Sequence, residues 1–271
     1  MFLSTGQPIV DGSIRAPAVA GIFYPRDALE LRAAVRSYVA SANADAPPAK
    51  AIIAPHAAYI YSGATAGSAF ASLAALRGRI TRVVLMGPAH RVAFEGLAVP
   101  RAEAFATPLG LVRVDRRAVD ALLELPRVFA SDRAHAEEHS LEVELPFVQV
   151  VLGDVAVLPI AVGAASDAEA ARALELVWGG PETCVIVSSD LSHYYPYAAA
   201  QRRDRATAQA VERLAPEEIG EEDACGRIGV RALLRQARAH GLHATTLDLR
   251  SSGDTAGTRD RVVGYGAFSF A

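Results

Sequence analysis

The chain has 271 residues, of which 51% are hydrophobic, and carries a formal net charge of −3. This length and apolar content fit one large core, so a single domain spanning residues 1–271 is expected. The slightly acidic balance, without a Lys or Arg cluster interleaved with aromatic residues, argues against a nucleic-acid partner.

Neither a membrane span nor an export signal is predicted. The best candidate for a span, Phe147 to Ala164, is interrupted by Asp154, and the N-terminus lacks a basic segment followed by an apolar one. Cys184 and Cys225 are too few for a disulfide framework. We therefore expect a cytoplasmic protein with reduced thiols.

Short apolar runs alternate with amphipathic segments along the chain, a pattern that predicts an α/β fold. A Pro-Leu-Gly turn at 108–110 indicates a hairpin. The elements predicted for the first half, in chain order, are a helix over Ala28–Ala42, the Ala46–Pro48 connector, a strand over Ala51–Ala54, a helix over Ser62–Leu76, a strand over Arg82–Met86, the hairpin over Phe105–Val114 and a helix over Arg116–Leu123.

The second half continues the alternation. A helix is predicted over His139–Val151, although Pro146 is unfavourable within it because proline has no backbone N–H. The elements that follow are a strand over Val155–Val162, a helix over Asp167–Trp178, a strand over Thr183–Val187, helices over Ala198–Leu214 and Gly226–His240, and strands over Ala244–Leu249 and Val262–Phe270.

Three apolar runs that resemble strands are each followed by a histidine, at His56, His90 and His193. Open α/β sheets bind ligands just outside the carboxyl ends of their strands, so these imidazoles are predicted to share one site. Imidazole binds iron, zinc and copper and titrates near neutrality. Such a site suits a metal ion or a proton relay.

Two acidic groups accompany these histidines. Asp190 lies three residues before His193, where it could orient an imidazole or accept a proton; capping of the following segment is an equal alternative. His139 and Glu142 are spaced to share a helical face beside Glu138, and a solvated helix start is the alternative for that group.

Several motifs resemble, in order, the signatures of the Memo family, whose bacterial members include protein B of the AmmeMemoRadiSam system. The resemblance runs from Arg15 to Ala267 and so covers nearly the whole chain. Its motifs are Ala54-Pro55-His56-Ala57-Ala58-Tyr59, Gly87-Pro88-Ala89-His90, Glu138-His139-Ser140-Leu141-Glu142 followed by Leu145-Pro146-Phe147, Ser188-Ser189-Asp190-Leu191-Ser192-His193, and Cys225-Gly226-Arg227.

The resemblance implies a single-domain α/β sandwich with a central mixed sheet, similar to class III extradiol dioxygenases. It also implies metal ligands at His56, His90 and Cys225, the cysteine replacing the carboxylate of those enzymes. His193 and Asp190 match the acid/base positions. The pocket or its support is implied for Glu138, His139, Glu142 and Tyr59. In this chain Arg91 and Glu144 stand where many relatives have histidine.

A thiolate ligand changes the chemistry that such a site supports. Sulfur favours Cu(I), zinc or a tuned iron and is itself oxidisable, and Cys225 is predicted at a helix start, where thiol pKa is lowered. We therefore expect Fe(II) or copper, with zinc as a third choice, in a dioxygenase-like metal-dependent oxidoreductase. Ring cleavage itself is not expected.

The residues leave other functions open. A module that binds a peptide or partner without turnover is one alternative, and an extradiol-type dioxygenase or a metal-assisted hydrolase with His193 as base is another. The family name suggests an AMMECR-type protein and a radical SAM enzyme as partners. The small-molecule or peptide ligand and the oligomeric state are not determined by the sequence.

Overall fold

A computed structural model describes residues 14–42 and 47–271. The first residue of the predicted Ala46–Pro48 connector and the N-terminal residues 1–13, for which no export signal is predicted, lie outside the described residues. The helices are α1 (Ala28–Ala40), α2 (Tyr59–Ala71), α3 (Arg116–Leu123), α4 (Asp132–Ala136), α5 (Leu145–Val151), α6 (Asp167–Val177), α7 (Tyr197–Glu212) and α8 (Arg227–Ala239).

Twelve strands are present in the described residues, and most belong to one large sheet. The strands are β1 (Ile14–Arg15), β2 (Ala51–Ala54), β3 (Arg82–Pro88), β4 (Leu97–Val99), β5 (Ala104–Thr107), β6 (Gly110–Arg113), β7 (Val128–Ala130), β8 (Ala156–Val162), β9 (Thr183–Ser188), β10 (His193–Tyr195), β11 (Ala244–Ser251) and β12 (Val262–Phe270).

The large sheet is mixed and has the order β10-β12-β2-β9-β3-β8-β4-β7, with β11 paired to β12. Its centre, from β2 through β9 and β3 to β8, is parallel. Strands β12 and β4 join this centre antiparallel at either side. Strands β1, β5 and β6 form a separate small sheet.

Strands β2 and β9 are buried along their whole length, and β3 and β8 are buried except at end residues, which explains their continuous apolar sequences. Helix α2 packs on β2 and β12 together with α1 and α5, whereas α8 packs on β3 and β9 together with α6. The prediction of an α/β fold with a central mixed sheet is thereby confirmed. Among the helices that the structure describes, none has the length and apolar character needed to cross a membrane.

The predicted helix over His139–Val151 is wrong in its first half. Residues before Glu142 form an irregular segment, Glu142–Glu144 is a single 3-10 turn, and α5 begins only at Leu145. Pro146 explains the difference, because proline is tolerated in the first turn of a helix, where its missing N–H has no intrahelical partner. His139 therefore lies in an irregular segment and not on a helix.

Short elements were not predicted from the sequence. Strands β4, β7 and β10 have three residues each and α4 has five, too few to show a hydrophobic period. The hairpin was predicted correctly and appears as β5 and β6.

Lys50, the single lysine of the chain, binds the carbonyl groups between the end of α6 and the start of β9. Its Nζ donates to the carbonyl oxygens of Trp178 at 2.8 Å, Gly180 at 2.7 Å and Thr183 at 2.7 Å. The ammonium also lies 5.4 Å from the centre of the Trp178 ring. An ammonium has three donors, so these carbonyls occupy all of them and the residue has a structural role.

Replacing Lys50 with methionine is expected to lower the free energy of unfolding by about 1–3 kcal/mol, because carbonyls that accept from a charged donor lose their partner. Urea unfolding measures the change. Arg36→Met is the control, since Arg36 is an exposed cation on α1 and should change stability by less than about 0.5 kcal/mol. Equal effects in the two variants would contradict the structural role.

Candidate metal centre

The predicted site lies at the carboxyl edge of the parallel strands. His56 follows β2 by two residues, His90 follows β3 by two, and Asp190 follows β9 by two. Because β9 lies between β2 and β3 and all three run parallel, their exits meet at one place. The convergence that the sequence predicted for His56 and His90 is therefore observed.

His139 reaches the same place from the irregular segment after α4. This segment lies against the end of β3, where the Ser140 hydroxyl donates to the Pro88 carbonyl oxygen at 2.7 Å. A Cβ at position 87 would lie 2.9 Å from Ser140 Oγ, so Gly87 makes this close approach possible. The approach sets His139 beside His90, with their rings stacked and their centroids 4.7 Å apart.

His56, His90 and His139 form a cluster of three imidazoles that could hold a metal ion. One ligating nitrogen of each lies within 4.8 Å of the other two. The ring centroid of His56 lies 5.2 Å from that of His90 and 5.6 Å from that of His139. We call these three residues the histidine cluster.

Cys225, which the family resemblance implied as a ligand, lies beside His56, although among the described residues the ligating atoms within 4.8 Å of one another belong to the three histidines and not to this cysteine. Its Sγ is 3.4 Å from His56 Nε2, and two ligands of one tetrahedral ion lie about 3.3–3.7 Å apart. The backbone N–H of Cys225 donates to the Asp190 carbonyl oxygen at 3.2 Å. A Cβ at position 226 would lie 2.7 Å from the Ser189 Cβ, so Gly226 lets this turn approach β9.

The expectation of a lowered thiol pKa is not met. Cys225 does precede α8, but its enclosed position and the carboxyl group of Asp190 raise the pKa of the Cys225 thiol. In the absence of a bound cation the Cys225 thiol is therefore protonated. A metal ion would have to displace that proton, since thiolate is the form that binds metals.

Hydrogen bonds orient two rings of the cluster toward a shared centre. His56 Nδ1 lies 2.7 Å from Ser188 Oγ, and His90 Nδ1 lies 3.0 Å from Glu138 Oε1. An Nδ1–H donated to either oxygen leaves Nε2 with its lone pair, which is the form that binds a metal.

Glu138 is the strongest of these supports. Its carboxylate also accepts the backbone N–H groups of His90, His139 and Ser140. Burial alone would raise its pKa, but the hydrogen bonds from His90 and Ser140 lower the pKa of Glu138 to about 2. The residue is therefore an anion that holds the His90 and His139 segments together.

Two imidazoles of the cluster, His56 and His139, are held in the neutral form that metal binding requires. Burial lowers the pKa of His56 well below its usual range, and the neighbouring imidazoles add to this effect. Burial lowers the pKa of His139 to about 4. His139 Nδ1 has no hydrogen-bond partner within the described part of the chain although it is buried. The three imidazole nitrogens and their spacing thus fit a transition-metal ion.

His193 lies at the junction of two cavities beside the cluster. One cavity, of about 450 Å³, is lined by His139, His193, Phe23 and Tyr265 among others. The other, of about 400 Å³, is lined by His90, His193 and Cys225 among others. His193 Nδ1 lies 2.8 Å from the Leu191 carbonyl oxygen, which leaves Nε2 available.

Asp190 supports the turn that carries His56. Its Oδ1 accepts the backbone N–H of His56 at 2.9 Å, so this carboxyl oxygen supports a distant turn and not the segment after Asp190 that the capping alternative named. Burial raises the pKa of Asp190 to about 7. The carboxyl group also lines the larger cavity, so a role in proton transfer stays a prediction.

Glu142 and Tyr59 support the site from behind it. The Glu142 carboxylate accepts from the Arg15 guanidinium and the Tyr24 hydroxyl and is fully buried. Tyr59 is buried in the core, where its hydroxyl donates to the Val143 carbonyl oxygen at 2.8 Å. Its backbone N–H donates to the carbonyl oxygen of Phe23, whose ring lies 4.9 Å from that of His139.

Sequence reasoning placed His139 only among the supporting residues, whereas the structure places it inside the histidine cluster. A helix over His139–Val151 would place His139 on one face with Glu142 and away from the cluster. Pro146 was the signal that this helix starts later and that His139 lies in an irregular segment.

Comparisons with known proteins agree on one family. Residues 15–269 match the family model of the Memo-like proteins. Proteins named MEMO1 family protein from Aquifex aeolicus and Thermotoga petrophila are 34% and 35% identical over 263 and 273 residues, each covering 93% of this chain and 97% of the relative. Another from Archaeoglobus fulgidus is 33% identical over 272 residues, 95% of this chain and 99% of its own.

A structural comparison supports the fold. The crystal structure of an uncharacterized protein from Escherichia coli K12 superposes with a TM-score of 0.51 at 14% sequence identity, and covers 79% of this chain and 98% of that one. At this identity the match concerns the fold alone.

Proposed function

The chain belongs to the family of Memo-like proteins, and on that premise we propose that it is a metal-dependent redox protein. The metal would be held by His56, His90 and His139 with Cys225 as a further ligand. Iron or copper is the proposed ion, with zinc as the third choice.

The observation that carries this proposal is the meeting of three imidazoles within 4.8 Å of one another, with one thiol beside His56. Cys225 Sγ and His56 Nε2 are separated by 3.4 Å, a distance typical of two ligands on one ion. Imidazole and thiolate together suit copper, zinc and iron better than calcium or magnesium. Bound iron or copper would supply one-electron chemistry to a small molecule in the adjoining cavities.

The protein's own residues would position that molecule and handle its protons. His193 faces both cavities, and burial lowers the pKa of His193, so the imidazole is a neutral base at pH 7. Asp190 lines one of them with a carboxyl pKa of about 7. The pair could accept and return a proton.

The donor set does not favour ring-opening oxygenation. Glu138 and Asp190 are engaged by backbone N–H groups and the His90 ring, so in the described chain no carboxylate joins the histidine cluster as a ligand. Two histidines and one carboxylate make the face that non-haem iron oxygenases use.

AMMECR-type and radical SAM partners stay a proposal from the family resemblance.

The test is metal analysis of untagged protein purified without oxygen. We expect about one iron or copper ion per chain, because four soft or borderline ligands retain such ions. Addition of air should oxidise the metal or Cys225, without yellow ring-opened product from a panel of catechols.

Other outcomes identify the alternatives. Protein that neither contains nor takes up metal in a titration would favour a binding module. Repeated catechol cleavage with an unmodified Cys225 would restore the dioxygenase. Zinc with oxygen-independent ester hydrolysis would favour the hydrolase.

A further inference from the structure

A buried acid, Glu144, lies behind the histidine cluster and has no role in the chemistry described so far. Glu144 and Ser188 are both 0% exposed. The Ser188 hydroxyl oxygen lies 3.0 Å from Glu144 Oε1 and 2.7 Å from His56 Nδ1. Ser188 therefore connects the acid to a residue of the cluster.

The hydrogens around Ser188 can be assigned by counting. Ser188 Oγ is 2.6 Å from the Ser140 carbonyl oxygen, and at that separation a proton must lie between the two oxygens. A carbonyl cannot donate, so the single hydroxyl proton of Ser188 points to Ser140. The two lone pairs of Oγ must then accept, one from His56 and one from Glu144.

Each of those partners consequently carries a hydrogen. His56 must donate through Nδ1–H, which leaves the lone pair on Nε2, the atom facing Cys225. Glu144 can donate only as a carboxylic acid, because an ionised carboxylate is acceptor-only.

The surroundings of Glu144 agree with an uncharged acid. Its second oxygen, Oε2, is buried without a hydrogen-bond partner among the described residues, and an unpaired buried charge is strongly unfavourable. Burial, with the carboxyl group of Asp190 nearby, raises the pKa of Glu144 well above its usual range.

We propose that Glu144 and Ser188 are positioning residues: Glu144, held as the un-ionised acid, donates to Ser188, and Ser188 fixes His56 as the Nδ1–H tautomer with Nε2 directed at the metal position. The metal part of this inference rests on the proposed function. The hydrogen assignment does not, because it concerns the protein without metal.

The assignment is tested first on metal-free protein. Infrared difference spectra between the wild-type protein and Glu144→Gln should show the carbonyl stretch of one un-ionised carboxylic acid at neutral pH. Nitrogen-15 spectra of histidine-labelled protein, assigned with His56→Gln, should show His56 protonated at Nδ1. In Ser188→Ala the Nε2–H tautomer should appear. Ser72→Ala is the control, since Ser72 directly follows α2 and its buried hydroxyl donates to the Ala69 carbonyl oxygen at the end of that helix.

The positioning role is tested by zinc affinity from competition with a chelator. Glu144→Gln keeps an N–H donor to Ser188, so its affinity should stay within about 3-fold of the wild-type value, whereas Glu144→Leu and Ser188→Ala should lose about 10–100-fold, the range for partners of metal ligands. Ser72→Ala should change affinity little. Thermal unfolding separates these losses from misfolding.

Three results would overturn the inference: an ionised Glu144, a wild-type His56 protonated at Nε2, or a zinc affinity of Glu144→Gln as low as that of Glu144→Leu. Absence of zinc binding by the wild-type protein would instead count against the proposed function. The infrared and tautomer results would still decide the hydrogen assignment in that case.

Discussion

Replacing His90 with alanine is expected to lower zinc affinity by about 10²-fold or more. Binding free energies of about 10–16 kcal/mol for structural zinc, divided among four ligands, give about 3 kcal/mol for each. His56→Ala and His139→Ala should have comparable effects, since all three imidazoles lie within 4.8 Å of one another. Competition with a chelator measures the affinity, and thermal unfolding confirms that each variant is folded.

The same series decides which residues are ligands. Cys225→Ser should weaken zinc binding, and Co(II)-loaded wild-type protein should show the sulfur-to-cobalt absorption that this variant lacks. His193→Ala is the matched control, because it lines both cavities but is proposed only as a proton handler. Unchanged affinity in His139→Ala would leave His56, His90 and Cys225 as the ligand set, and loss of binding in His193→Ala would add His193 to it.

Replacing Arg15 with methionine is expected to lower the free energy of unfolding by about 3–5 kcal/mol, because the variant leaves Glu142 as a buried charge without its partner. Arg15 also donates to the carbonyl oxygens of His135 at 3.0 Å and Glu138 at 2.7 Å. Glu142 in turn accepts the backbone N–H groups of Ala18 and Val19. The pair therefore fixes the N-terminal segment whose Phe23 ring packs against His139.

Urea unfolding measures this effect, and an exposed ion pair supplies the control. Arg213 and Glu218 are each about half exposed, so Arg213→Met should lower the free energy of unfolding by less than about 1 kcal/mol. The double variant Arg15→Met/Glu142→Leu should be less destabilised than the sum of its single changes, because it removes both charges. A loss in Arg15→Met no larger than that in Arg213→Met would contradict the prediction.

Elements with a clear hydrophobic period were predictable from the sequence. Strand β2 matches its predicted bounds, as does helix α3, because buried runs and amphipathic periods are local features of the chain. Strand β10 was missed because its three residues show no period. His193 was therefore placed at the exit of β9, whereas it begins β10.

The convergence of His56 and His90 was also determined by the sequence. Each follows a parallel strand directly, and neighbouring parallel strands end at one edge. The position of Cys225 beside them came from the family resemblance, since nothing local in the sequence brings residue 225 to residue 56.

Only the tertiary structure decided the position of His139 and the hydrogen bonds behind the cluster. His139 joins through the contact of Ser140 with Gly87 and Pro88, and Ser188 connects Glu144 to His56 across the chain. These contacts depend on the packing of irregular segments, whose conformation carries no periodic signal. The raised thiol pKa of Cys225 has the same origin, because enclosure by distant residues outweighs the local effect of a helix start. The sequence thus determined which strands deliver histidines to the edge of the sheet, and packing between distant segments decided which groups surround and orient them.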